Sequence, residues 1–208
     1  PLEGGERDVA SPVDGTMSQL GVVREGRLLQ AKGMHYTAGA LLADEAAARR
    51  YEGGGFACIY LAPYNYHRIH MPCDGRLLRM THVPGDLFSV NPTTACGVPG
   101  LFARNERVVC VFESALGPFI LVLVGATIVG SMATVWHGQV NPPRPGQLRE
   151  WHYENQQIVL KQGEEMGRFL LGSTVVMLFP KGARQFNPAW APAGAIRMGE
   201  AMASVSNP

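Results

Sequence analysis

The chain has 208 residues, 46% of them hydrophobic and 17% charged, with a formal net charge of +1. That is one domain's length with a sizeable core, too apolar for disorder. Eighteen Lys and Arg against seventeen Asp and Glu leave no cationic excess to neutralise phosphates, which excludes a nucleic-acid binder working through backbone electrostatics.

The 25 Gly and 15 Pro fall as punctuation between short β-branched runs, so a mostly β (α+β) domain is expected. From Val9 to about Gln30 the sequence predicts short strands separated by Gly15, Gly21 and Gly26, with a turn at Pro12 and Asp14-Gly15. Residues 37–52 predict the one clear helix, with Thr37 as N-cap, Ala and Leu supplying propensity, and Gly53 as its stop. After Gly55 the pattern returns to strands, apart from a loop across Asn141–Gly146, where NPPRPG forbids regular pairing. Ser114 to Trp136 carries no charge and is long enough to span a bilayer. Its Gly117-Pro118, Gly125 and Gly130 breaks and its Ile, Val and Thr content predict two buried strands instead, preceded by Arg107–Glu113. No signal peptide is read at the start, Pro1. Cys58, Cys73, Cys96 and Cys110 form no C-x-x-C pair and read as buried reduced thiols, not as a disulfide framework or a metal site.

An internal echo runs sixty residues apart, Ser11-Pro12-Val13-Asp14-Gly15 against Met71-Pro72-Cys73-Asp74-Gly75. P-x-D-G is a good turn on its own. It also fits a short-strand, barrel-like core of pseudo-duplicated hairpin units, as in biotinyl and lipoyl carrier domains. Neither copy has a lysine beside its turn, so a carrier function is disfavoured while the architecture stands.

Chemistry could lie in three places. His67 and His70 are three apart, so in an extended strand they face opposite sides and should not share one job; read alone, they are as easily structural. Gly172-Ser173-Thr174 opens an apolar run and lacks the G-x-S-x-G elbow. Ser173 with His67 or His70 and Asp14 has the composition of a nucleophile, base and orienting acid. Phe102–Val109, FARNERVV, reads either as a solvated turn with a weak Arg–Glu pair or as a scaffold for a buried polar site.

Taken together, SPVDG (11–15), YHRIHMPCDG (66–75), FARNERVV (102–109), LVGATIVGSMATVW (123–136), GEEMGRFLLGSTVVMLF (163–179) and IRMGEAM (196–202) resemble the bacterial phosphatidylserine decarboxylase proenzymes. The resemblance runs through the whole chain in order, and its most distinctive part is Y-H-R-x-H-x-P paired with L-G-S-T. It implies a single catalytic domain over 1–208 that cuts itself between Gly172 and Ser173, giving a β chain, 1–172, and an α chain, 173–208. Ser173 would be the nucleophile and become a pyruvoyl group, the cofactor, which forms a Schiff base with the substrate amine. His70 would be the base for self-cleavage, oriented by Asp14, and His67 the acid–base group of decarboxylation. No metal is implied.

Tyr66 and Arg68 would contact substrate, with Arg76 and Arg104 as further cations for the phosphodiester. The family pattern has an acidic residue where this chain has Asn65, two before His67. The resemblance further implies phosphatidylserine as substrate and a peripheral place on an anionic membrane, the cytoplasmic side of the inner membrane. It implies a membrane-associating segment N-terminal to residue 1 and leaves room for a homodimer. The competing readings are a soluble pyruvoyl-dependent amino-acid decarboxylase and a serine hydrolase using Ser173.

Overall fold

A computed structural model describes residues 8–115, 117–127, 131–141, 143–144, 146–170, 173–182 and 185–204. The largest sheet has nine strands. Across its centre run Arg107–Glu113, Phe119–Val124, Ser173–Leu178, Gly55–Leu61 and Gly15–Val22, all antiparallel to their neighbours. Gly75–Val83 and Arg149–His152 extend it on one side and Ala195–Ile196 on the other. One row of cross-strand partners reads Met17, Ile59, Val175, Leu123, Val108. All five are 0% exposed, which is why these runs read as continuous apolar segments: both faces of the sheet are covered.

A four-stranded sheet covers that face, ordered Gly138–Asn141, Met132–Thr134, Glu165–Phe169, Arg68–His70. Phe112 and Trp136 meet edge to face between the layers, with centroids 5.9 Å apart, and the Thr134 hydroxyl contacts Met80 Sδ. The two buried strands expected between Ser114 and Trp136 are therefore present, one in each layer. No helix among the described residues is long and apolar enough to cross a membrane.

The expected helix over 37–52 is broken. Thr37 caps a helix as predicted, but that helix covers only Ala38–Leu42 and ends at Ala43 in the left-handed region, φ 53°. Asp44 then caps a second helix, Glu45–Ala48, followed by a 3₁₀ turn over Arg49–Tyr51. Asp44 competes for the backbone as a cap, a preference stronger than its neighbours' helix propensity. Two further short helices, Pro92–Ala95 and Leu101–Arg104, lie where only strands were expected. Gly21 does not interrupt its strand; it sits inside Gly15–Val22 against the Phe56 ring.

The echo of the two P-x-D-G turns is a true structural duplication. Ala10 N donates to Pro72 O and His70 N to Pro12 O, both at 2.8 Å. This reciprocal pattern is what a two-fold axis produces. A second arm follows thirty-six residues apart: Ser11 bonds Glu200 and Gly199 as Met71 bonds Glu164 and Gly163. Met198 N donates to Asp14 as Gln162 N does to Asp74, both at 2.8 Å. Strand registers repeat as well, Ala10 opposite Ala201 and His70 opposite Glu165, Gly15 opposite Ile196 and Gly75 opposite Leu160.

Candidate active site

Ser173 is the first residue of a central strand, paired with Leu61. It shares a face with Val175 and Met177, so it points toward the four-stranded sheet. Its side chain is fully buried and its Oγ has no hydrogen-bond partner among the described residues. Leu171 and Gly172, and with them the predicted cleavage point, lie outside the described residues.

The turn bearing Asp14 ends at the same edge. Gly15 pairs with Ile196 and begins the strand beside Gly55–Leu61, whose far neighbour is the Ser173 strand. Asp14 and Ser173 thus lie at one end of the sheet, two strands or roughly 10 Å apart along the backbone. Only glycine fits at 15, because a Cβ there would lie 2.4 Å from Tyr60 O. His70 joins this end through its backbone bond to Pro12 O.

The His70 ring is held on both sides. Nδ1 lies 2.8 Å from Gly163 O, and a carbonyl only accepts, so Nδ1 carries the proton. Nε2 is left as the basic nitrogen, 3.2 Å from the Tyr66 hydroxyl, whose ring stacks on the imidazole. Among the described residues no hydrogen bond joins His70 to Ser173 or to the Asp14 carboxylate. Asp14 reaches His70 through the backbone instead: it accepts from Met198 N and so fixes the turn whose Pro12 O holds His70 N.

His67 stands just before the Arg68–His70 strand, its carbonyl accepting from Phe169 N. Its Nε2 is buried without a partner among the described residues. The two histidines therefore occupy different surroundings, as their spacing required. Asn65 closes the loop between strands, its Oδ1 accepting from Ala62 N at 2.8 Å. Each arginine proposed for the phosphodiester is engaged in an ion pair, Arg68 with Glu165, Arg76 with Glu113 and Arg104 with Asp86.

FARNERVV resolves in favour of a scaffold, for Asn105, Glu106 and Arg107 are all buried. Asn105 Nδ2 donates to Phe88 O and Gly125 O. Glu106 accepts from Arg144 at 2.8 Å and meets His82 Nε2 at 2.8 Å. Burial works against the Glu106 carboxylate, but its hydrogen bonds to His82 and Arg144 prevail and hold its pKa below the ordinary value. Arg107 donates to Ala40 O and Leu41 O, satisfying the end of the Ala38–Leu42 helix. Burial brings its pKa down to about 10, so it stays charged at neutral pH. Gly125 N bonds Glu106 O, which ties this scaffold to the edge where Ser173 begins its strand.

Two polar side chains at this edge were not singled out from sequence, Ser131 and Asn141. Both are buried, and among the described residues Ser131 Oγ and Asn141 Nδ2 have no partner. Asn141 sits in a run that reads as a loop, yet it is the last residue of the strand Gly138–Asn141; no sequence signal marks its amide as buried.

The phosphatidylserine decarboxylase family model matches residues 1–204. The chain belongs to the phosphatidylserine decarboxylase family. It is 69% identical over 203 residues to the phosphatidylserine decarboxylase proenzyme of Variovorax paradoxus (strain S110), covering 97% of this chain and 72% of that protein. The proenzyme of Methylibium petroleiphilum (strain ATCC BAA-1232 / LMG 22953 / PM1) is 66% identical over 97% of this chain and 74% of its own length. That of Dechloromonas aromatica (strain RCB) is 63% identical, over 100% and 76%. Family membership makes the chain a carboxy-lyase of phospholipid biosynthesis, produced as a zymogen.

Proposed function

We propose that this phosphatidylserine decarboxylase cuts its own chain between Gly172 and Ser173 and uses the new end to remove CO₂ from phosphatidylserine, giving phosphatidylethanolamine. The observation that carries this reading is the Ser173 hydroxyl, buried without a partner on the first position of a central strand, at the sheet end shared with His70 and Asp14.

Serine is a poor nucleophile without a base. His70 Nε2 supplies one by exchanging the Tyr66 hydroxyl for Ser173 Oγ–H. Asp14 acts as a positioning residue through its turn, and Gly163 O keeps the ring in the needed tautomer. The Ser173 proton passes to Nε2 as Oγ bonds the Gly172 carbonyl carbon. The C–N bond then breaks, its electron pair taking that proton, and an ester replaces the amide. Removal of the Ser173 Cα proton expels the Gly172 carboxylate, which keeps Oγ. Water then replaces nitrogen at residue 173, releasing ammonia and leaving a pyruvoyl end.

The buried, partner-free position of Ser173 fits such a group, since a ketone has no proton that needs an acceptor. When formed, it supplies an electrophilic carbonyl that condenses with the substrate's primary amine and takes up the electron pair left by CO₂. His67, with its buried unpartnered nitrogen, delivers the proton that replaces CO₂ on the substrate's Cα. Tyr66 and Arg68, neighbours of the two histidines in the chain, meet the incoming lipid, and Arg68 lies opposite Arg168 on the adjacent strand.

The same edge supports peripheral binding to an anionic bilayer. Tyr64 is 87% exposed, Leu170 62% and Tyr66 43%, and this apolar rim stands beside Arg68 and Arg168, a combination that suits an anionic lipid interface. On this reading the enzyme works at the cytoplasmic face of the inner membrane, where anionic headgroups would meet this rim.

Intact-mass analysis under denaturing conditions tests the reading. Two pieces are expected, 1–172 and 173–208, the second lacking a free amine. A chain that stays whole on prolonged incubation overturns it.

A further inference from the structure

We infer that Arg168, together with Arg68, holds the phosphodiester of the lipid headgroup. This rests on the phosphatidylserine reading above and names the part of that site that meets the phosphate. A phosphodiester is a monoanion with two free oxygens, and a guanidinium fork is shaped to bond both of them.

Arg68 and Arg168 are direct cross-strand partners on the strands Arg68–His70 and Glu165–Phe169. Like charges directly opposite each other weaken a sheet. One carboxylate answers both: Glu165 lies 2.6 Å from the Arg68 guanidinium and 3.9 Å from that of Arg168. This leaves one positive charge over, and both arginine side chains are 49% exposed, so an arriving anion can reach them. The sheet itself does not need the pair. Sixty residues back and thirty-six on, the other half of the duplication has Asp8 and Ser204 at these two positions, and its strands pair in the matching register. A facing pair of cations is thus carried by one half alone, a cost that binding an anion offsets.

The pair adjoins the proposed acid–base groups. His67 precedes Arg68 in the chain, Arg68 and His70 share a strand face, and Glu165 stands opposite His70. On the side of Arg168 away from Arg68 opens a cleft of about 300 Å³, lined by Ala133, Val135, Gln139, Glu165 and Leu170 among others. Its apolar members suit the glycerol and acyl stems that follow the phosphate.

Glycerophosphoethanolamine tests this, because it keeps the phosphodiester and lacks the carboxylate and the acyl chains. It should inhibit the self-cleaved parent competitively, and Arg168→Gln or Arg68→Gln should raise its inhibition constant about tenfold. Arg168→Lys, which keeps the charge and loses the fork, should fall between. Glu165→Gln should lower the constant about two- to fivefold, since it removes the group that competes for both arginines; a merely structural role gives no such gain. An unchanged constant in Arg168→Gln overturns the assignment. So does a raised KM confined to vesicle substrate, which would make these arginines a contact for the bilayer alone. Binding of the same probe in a Ser173→Ala background, read by NMR titration, needs neither cleavage nor decarboxylation and so also decides for a variant that fails to cut. A probe that neither inhibits nor binds the parent overturns the inference as well. Arg168-dependent binding in a chain whose parent never decarboxylates phosphatidylserine overturns the substrate reading and leaves the phosphodiester site standing.

Discussion

The two halves of the duplication share a backbone and differ in chemistry. In each, a P-x-D-G turn receives a backbone N–H on its aspartate and exchanges a strand hydrogen bond with the other half. Where the second half has His70, the first has Ala10, and each makes the same bond through its own nitrogen. Asp74 is further bound to Lys161 at 2.7 Å, while Asp14 stands at the sheet end where the Ser173 strand begins. A duplicated hairpin thus sets the geometry twice, and the reactive groups are mounted on one edge of it.

The largest expected effect breaks that symmetry directly. His70→Ala and Asp14→Ala should each slow self-cleavage by about 10² to 10⁴, whereas Asp74→Ala, which loosens the turn carrying Gly163 O, should slow it by about tenfold or less. Gel assays of the three purified variants decide it, and equal behaviour of the two aspartates would remove the functional difference between the halves. Next, His67→Ala should cut and then fail to release CO₂ from phosphatidylserine, measured with carboxyl-labelled lipid. Uncut His67→Ala would mean that the two histidines share one step after all.

Smaller effects separate scaffold from site. Glu106→Gln breaks a buried ion pair and should lower stability by about 3 kcal/mol without preventing cleavage, as read by urea unfolding. Its pH dependence has a definite sign. The Glu106 carboxyl is held below its ordinary value of 4.5, so its contribution is complete above that pH and is lost as pH falls through the lower folded value. The glutamine variant should lack this acid-side loss. Smallest of all, Asn65→Asp keeps an acceptor for Ala62 N and should change stability by less than about 0.5 kcal/mol. A large change in decarboxylation by this variant would show that the family's acidic residue acts on His67 and not on the loop.

The strands were legible because β-branched runs and Gly-Pro breaks are local signals. So was the first arm of the duplication, through its repeated turn residues. The second arm, Lys161–Glu164 against Arg197–Glu200, was not read, although KQGEEM and RMGEAM share Gly, Glu and Met in register, because so short a match is no signal until the fold sets both segments beside the paired turns. The helix break at Ala43 was hidden for a related reason: nothing in an alanine announces a left-handed conformation. Family resemblance pointed to Ser173 and His70, but that Gly163 O, and not Asp14, touches the imidazole depends on how two distant turns are braced together. Asn141 and Ser131 escaped because burial of an amide is decided by packing from the opposite sheet.

The Ser173–Leu178 strand lies between Gly55–Leu61 and Phe119–Val124 and is paired along nearly its whole length on both sides. Cutting the peptide just before it therefore leaves the sheet intact while changing how the molecule is put together. The precursor folds as one chain. The cut enzyme, once unfolded, would have to regain its central strand by an encounter of two molecules, so its refolding depends on concentration. Under the proposed cleavage, folding before cutting is built into where the cut would fall, and the active form would survive by unfolding slowly more than by refolding well.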